Sequence, residues 1–264
     1  MGVPEVAGGA PWSIVARNLS GHANNPIHSD EGARAAGFER ALVAGVTTYA
    51  YCCHPVLERF GPDWLARGEA TMRFRAPVFS GDLLTFPVSE REDGGLDVLV
   101  FCERSERPLV EVSAWPERRP SGSGGPGESG ESLEPGGPGG GRPGETLMPL
   151  IVRLDGEYGS DYALRAGDDD SFTPSAGLVH PAVWPSLANT VFHAQLARGA
   201  WVHTRSTVRH YAAVPEGQEA EVSTVVIERY SRGGQRAVAD HVIRVGGQVV
   251  ATLEHEAIVD LSAI

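Results

Sequence analysis

The chain has 264 residues and a formal net charge of -12, and all 22 of its Lys+Arg residues are arginine. With no lysine there is no Schiff-base, phosphate-loop or general-base lysine, which removes several large enzyme classes. The acid excess, 34 Asp+Glu, argues against duplex nucleic acid or an anionic membrane as partner, since either needs clustered positive charge.

Residues 1–12 have neither the basic region nor the apolar core of a signal peptide, and Val6 stands where a myristoylation signal wants Ser or Thr. No apolar run approaches the roughly 20 residues that span a bilayer, so the expectation is a cytoplasmic protein. Asp30 is read as the N-cap of a short helix, AspGluGlyAlaArg. Gly45 to Phe60 carries apolar residues at helical spacing, stopped by GlyPro at 61 to 62. Cys52 and Cys53 lie within it; with Cys102 they have no CxxC spacing, and they read as small apolar residues in a reducing compartment. β-rich runs follow at Ala70 to Phe79, Leu83 to Ser89, Asp97 to Glu103 and Leu109 to Trp115.

From Pro120 to Gly144 the chain has 11 Gly, 5 Pro, 4 Ser and 3 Glu in 25 residues, with a single Leu. Such a stretch cannot bury apolar surface and reads as a mobile linker, placed at 118–147 between domains 1–117 and 148–264. Beyond it the pattern recurs: a helix near Val183 to Arg198, then strands near Val202 to Tyr211, Ala220 to Arg229, Ala237 to Val245 and Gln248 to Ile258. Adding 136 to a first-half number superposes Leu42-Val43 on Leu178-Val179, Arg73 on Arg209, Val78 on Val214 and Gly81 on Gly217. This predicts an internal duplication: an α+β chain in which each half is one apolar helix wrapped by a curved antiparallel sheet, joined edge to edge or face to face.

Three segments carry the chemistry: SerGlyHisAlaAsnAsnProIleHis from Ser20 to His28, AlaGlyPheGluArgAlaLeuValAlaGlyValThrThr from Ala36 to Thr48, and ArgPheArgAlaProValPheSerGlyAsp from Arg73 to Asp82. Here the sequence resembles the MaoC-like (R)-specific enoyl-CoA hydratases and 3-hydroxyacyl dehydratases. Their motifs read SerGlyAsp-x-AsnPro-x-His, then GlyPhe, then a His-Gly pair opening a central helix, then ProVal-x-x-GlyAsp. The resemblance implies a tandem (double) hot-dog fold and hydration or dehydration of an acyl thioester on CoA or carrier protein. It makes His28 the catalytic imidazole and Asn25 its neighbour. Gly45, Val46 and Thr47 then form the helix start that stabilises the thioester oxygen.

The chain also departs from that pattern. Counting back from His28, the motif Asp position holds Ala23; counting forward from SerGly it holds His22, a candidate base in its place. Ala44 replaces the His before the helix. In the second half AlaGlyAsp at 166 to 168 matches the motif start, but Thr173 falls where its His would be. Polyketide synthase dehydratases draw an Asp from their second-half helix; HisProAlaValTrpPro at 180 to 185 resembles that start, with Pro185 at the Asp position.

Asp168, Asp169 and Asp170 read as a solvated turn rather than a metal loop, and no cofactor or metal is expected. His203, His210, His241 and His255 read as surface or groove-edge positions. Arg73, Arg75 and Arg209 are candidates for the phosphates of a CoA or carrier arm. Two alternatives stay open: a non-catalytic acyl-thioester-binding protein needing a partner subunit or further homo-oligomer, and thioester hydrolysis or a cyclisation on the same fold.

Overall fold

The computed structural model describes residues 12–22, 24–120, 131–132, 141–169 and 172–261. Its strands are β1 (Ser13–Val15), β2 (Glu69–Phe74), β3 (Leu83–Thr85), β4 (Val88–Glu90), β5 (Leu96–Cys102), β6 (Val110–Trp115), β7 (Glu131–Ser132), β8 (Leu150–Arg153), β9 (Val202–His210), β10 (Glu219–Ser231), β11 (Gln235–Val245) and β12 (Gln248–Asp260). The helices are α1 (Asp30–Ala35), α2 (Gly45–Phe60), α3 (Trp64–Arg67), α4 (Tyr162–Arg165), α5 (Phe172–Ala176) and α6 (Val183–Gln195).

α2 and α6 are apolar nearly all round, and both are buried for most of their length, as a helix without a polar face must be. The 12-stranded sheet runs β1-β3-β5-β6-β2-β9-β12-β11-β10-β7, with β4 on β5 and β8 on β10. The halves meet edge to edge at β2 and β9, so each hides the other's open edge.

The offset of 136 reappears as symmetry of the fold. Thr71 faces Thr207 across the β2–β9 seam, and their hydroxyls lie 3.2 Å apart. Each is the other's duplicate, so the pseudo-twofold axis passes between them. The bridge Leu42↔Phe79 has its copy in Leu178↔Pro215, and the Val43 N–H to Val78 carbonyl bond its copy in Val179 to Val214. Gly81 and Gly217 share φ values of 89° and 85°, a turn conformation that disfavours any other residue.

Several boundaries differ from expectation for local reasons. The strand read over Ala70 to Phe79 ends at Phe74, before the proline of Ala76-Pro77, and the one read over Leu83 to Ser89 splits into β3 and β4 around Pro87, which has no N–H for a ladder. Ser29, not Asp30, caps α1: its hydroxyl accepts from the Gly32 N–H, while Asp30 takes the Ala41 N–H. Residues 141–147 are not linker, because Gly144 and Leu147 bond to the Val226 and Thr224 carbonyls and Leu147 is buried. Residues 121–130 and 133–140, also read as mobile, lie outside the described residues.

Beside the seam Glu69 is fully buried with Arg119 at 2.6 Å and Arg209 at 3.0 Å. Arg209, a phosphate candidate by sequence, is thereby occupied. Removing the carboxylate charge leaves two guanidinium groups against one neutral amide, so Glu69→Gln is expected to cost about 3 kcal/mol or more of stability, measured by denaturant unfolding.

Candidate active site

Two 3-10 turns, Ser20–His22 and Pro26–His28, carry the first motif. Asn25 is buried between them and donates its amide to the Trp201 carbonyl at 2.9 Å, tying the loop to the second half. Its Oδ1 has no partner among the described residues.

His28 Nδ1 lies 2.8 Å from the Leu42 carbonyl. A carbonyl only accepts, so Nδ1 carries the proton and Nε2 keeps its lone pair. Burial lowers the His28 pKa, against a smaller upward pull from the Leu42 bond. The ring is therefore neutral near pH 7, with a basic nitrogen.

His22 is half-buried. Its Nε2 is 3.1 Å from the Tyr162 hydroxyl and 3.3 Å from Thr47 Oγ1, which are themselves 3.3 Å apart. Its ring centroid is 5.9 Å from that of His28. Burial, then His28, then Arg165 push its pKa down to about 4. Ala23, the other position that could have held the motif carboxylate, lies outside the described residues.

Three hollows adjoin one another here. A polar one of about 120 Å³ is lined by His22, His28, Asn25, Tyr162 and His193 among others. A mostly apolar one of about 330 Å³ shares Asn25, His28, Asn189 and Trp201 with it and extends along Gly45, Phe74 and His203. A third, of about 200 Å³, shares Phe74, Arg75, Thr204 and Arg236 with the apolar cavity. His28 thus faces both the polar and the apolar space, and no described carboxylate lines the apolar one.

The start of α2 forms one wall of the apolar cavity. Ala44 gives it no side-chain cap, and the Gly45 and Val46 amides at its start have no carbonyl within the helix to donate to. A Cβ on Gly45 would sit 3.0 Å from the Phe74 ring and 3.2 Å from His203 Nδ1, so glycine is what leaves the space open. Val46 and Thr47, grouped with Gly45 by sequence, do not line the cavity: both are buried, and the Thr47 N–H is used by the Ala44 carbonyl.

The third hollow gathers Arg73, Arg75, Arg205, Arg232 and Arg236. Arg75 pairs with Glu111, and Arg205 and Arg236 with Glu256, at 2.9, 3.5 and 2.6 Å. Arg73 has no acidic partner among the described residues and faces Arg205, itself held by Glu254 at 2.9 Å, directly across the seam.

Other sequence readings change with the structure. His203, His210, His241 and His255 are 5%, 0%, 1% and 0% exposed, not at the surface. Asp168 is buried rather than in a solvated turn, with its Oδ1 2.9 Å from His54 Nδ1 on α2. Asp169 completes a group of three possible metal ligands there. Glu58 stands 3.7 Å from the other His54 nitrogen, so carboxylates flank both sides of the ring. The motif residue Asp82 binds Arg40, Arg104 and the Phe79 N–H at 2.8, 2.9 and 2.9 Å, a structural knot away from the cavity.

The sequence matches no protein-family profile and no curated protein. Its structure superposes on a Mycobacterium tuberculosis protein described as essential for bacterial survival during infection and as having a double hot-dog fold. The TM-score is 0.64 at 13% identity, over 95% of this chain and 96% of that one. The fold is a double hot dog. A Chloroflexus aurantiacus protein provisionally named a MaoC domain protein dehydratase matches with a TM-score of 0.61 at 12% identity, over 97% and 99% of the two chains. A provisionally named oleoyl thioesterase of Lactobacillus plantarum gives 0.52 at 11%, over 96% and 98%. The double hot dog here places its motif histidine at a cavity walled by both halves. Tyr162, Asn189, Trp201 and His203, none singled out as site residues by sequence, come from the second half. Among the described residues no helix is long and apolar enough to cross a membrane.

Proposed function

We propose that this double hot dog is a hydro-lyase that adds water to an enoyl thioester or removes it from a 3-hydroxyacyl thioester. The observation that carries this reading is His28, whose Nδ1 is fixed on the Leu42 carbonyl so that Nε2 presents a lone pair to a cavity bounded by the uncapped start of α2. In the dehydration direction His28 Nε2 takes the proton from Cα, and the electron pair moves onto the thioester oxygen. Amides and the dipole at the helix start stabilise that charge. The C3–O bond then breaks and the leaving hydroxyl takes the proton back from His28, so water departs and the imidazole is regenerated. One base can serve both transfers, which suits a site whose second imidazole, His22, stands where the motif counted from SerGly has its carboxylate.

The arginine hollow beside the apolar cavity supports a substrate with an apolar acyl chain and a phosphate-bearing arm. A phosphate beside Arg73 would supply the anionic partner that this guanidinium lacks. Arg73→Ala is expected to raise the Kd of crotonyl-CoA about 10- to 100-fold, the worth of one charged hydrogen bond, with little effect on crotonyl-pantetheine, which lacks the nucleotide phosphates. Equal effects on both ligands would remove the arginines from substrate binding.

Thioester hydrolysis is the second reading, supported by the thioesterase among the similar folds and by the same pairing of a base with a helix start. Crotonyl-CoA turnover separates the two. Loss of the conjugated double bond without free thiol supports the hydro-lyase; release of thiol with the double bond intact replaces it by hydrolysis.

A further inference from the structure

The helix start is not the only wall where the thioester oxygen would sit. We propose that His203 is a second hydrogen-bond donor to that oxygen, completing with the Gly45 N–H an oxyanion site built from both halves of the chain. The inference rests on the thioester reading above and adds a residue that neither the motifs nor the first half contains.

Three observations carry it. His203 is 5% exposed and lines the apolar cavity, and its Nδ1 has no partner among the described residues. That nitrogen lies 3.2 Å from the point where a Gly45 side chain would begin, so imidazole and helix start border one small space. A local irregularity aims the ring there. Opposite Glu256 and Ala257 of β12, strand β9 presents Arg205 and His203, leaving Thr204 as an extra residue. Without this bulge His203 and Ser206, three apart, would point to opposite faces; with it both point inward.

The other ring nitrogen is held from behind. His203 Nε2 is 2.8 Å from Ser206 Oγ, which is 2.8 Å from His255 Nδ1, and the two rings stack at 4.2 Å. One hydroxyl proton cannot serve both rings, so one imidazole must donate to Oγ while the other accepts from it. If His203 donates, its Nδ1 is bare and His255 keeps an Nε2–H against the Phe192 ring, 4.7 Å away between centroids, with no polar partner. If His255 donates, His203 carries Nδ1–H into the cavity. A buried donor left unmade is costly. A ligand oxygen at Nδ1 satisfies the donor in the second arrangement and so selects it, without any change in net charge. Burial holds the His203 pKa down at about 3, so the ring donates as a neutral imidazole and brings no cation beside the dipole.

The test uses the intact chain, its His203→Ala and His203→Asn variants, and butyryl-CoA, which has no group to eliminate or hydrate. Infrared difference spectra of the bound thioester should show its carbonyl stretch moved to lower frequency by the wild type. The shift should be smaller in H203A and largely restored in H203N, whose amide keeps a donor near Nδ1. With crotonyl-CoA, kcat should fall about 10²- to 10³-fold in H203A, with KM changed much less, as for loss of one oxyanion donor. A carbonyl shift equal in wild type and H203A, or loss in both variants only in proportion to their unfolding by circular dichroism, overturns the inference. Wild type that shifts the carbonyl through His203 but never turns over crotonyl-CoA retains the contact and sinks the hydro-lyase. Failure of the wild type to bind butyryl-CoA overturns both.

Discussion

Replacing His28 by alanine is expected to lower kcat for crotonyl-CoA hydration by about 10²- to 10⁴-fold, the usual worth of a positioned general base. The fold should survive, because the substitution removes one hydrogen bond to Leu42 and a half-buried ring at a cavity wall. Added imidazole, small enough for the space left, should restore part of the rate. The pH profile gives a sharper check. Since burial lowers the His28 pKa, the acid limb of kcat/KM belongs below pH 6.5. His22→Asp places a carboxylate beside His28, which favours the imidazolium and must move the acid limb to higher pH. A limb that stays put, or an H28A enzyme with near wild-type kcat, would dismiss His28 as the base.

What the sequence disclosed follows from how far each signal reaches. α2 and the long strands of the second half announce themselves through periodicity over many residues, and the duplication through an offset that the Thr71–Thr207 pair turns into a symmetry axis. His28, Asn25 and Gly45 sit in local motifs and could be named. Their partners could not: Tyr162, Asn189, Trp201 and His203 reach the same cavity from across the chain, with no spacing to tie them to His28. His203 is the instructive miss. Ser206, Val208 and His210 alternate inward in phase, while His203 is out of phase with them and turns inward only because of the extra residue Thr204. A period of two cannot reveal its own interruption. By polarity alone an imidazole on a strand reads as a surface residue. Inside, Ser206 and Thr224 give His203, His255 and His241 one hydrogen bond each, which lets an uncharged ring be buried.

Those buried rings are expected to destabilise the fold in acid at a pH where most carboxylates are still ionised. His180, His203, His210 and His241 have pKa values pushed down to about 3, chiefly by burial, and His255 falls well below its ordinary value for the same reason. In the unfolded chain each returns to about 6.5. Between these limits the unfolded state binds more protons than the folded one, so stability rises with pH up to about 6.5 and is then flat with respect to these groups. Lowering the pH from neutral to 5.5 removes on the order of 1 kcal/mol for each ring that stays neutral in the fold, an appreciable share in total of the 5–15 kcal/mol that typically holds a protein folded. Asp240, whose pKa is raised by burial and by Glu254, acts in the opposite sense, but as a single half-buried group. Urea midpoints followed by circular dichroism should therefore hold steady from pH 8 to 7 and fall steeply below 6.5, with several protons taken up on unfolding near pH 5.5. His210 offers the cleanest subtraction, because neither ring nitrogen has a partner among the described residues and the ring packs on Trp64 at 4.6 Å. His210→Phe keeps a ring of similar size and removes the titratable group, so it should reduce the proton uptake by about one and flatten the slope by about 1.4 kcal/mol per pH unit. A midpoint unchanged between pH 7 and 5 would mean that the unfolded chain does not recover these protons, and the five imidazoles would lose their part in acid stability.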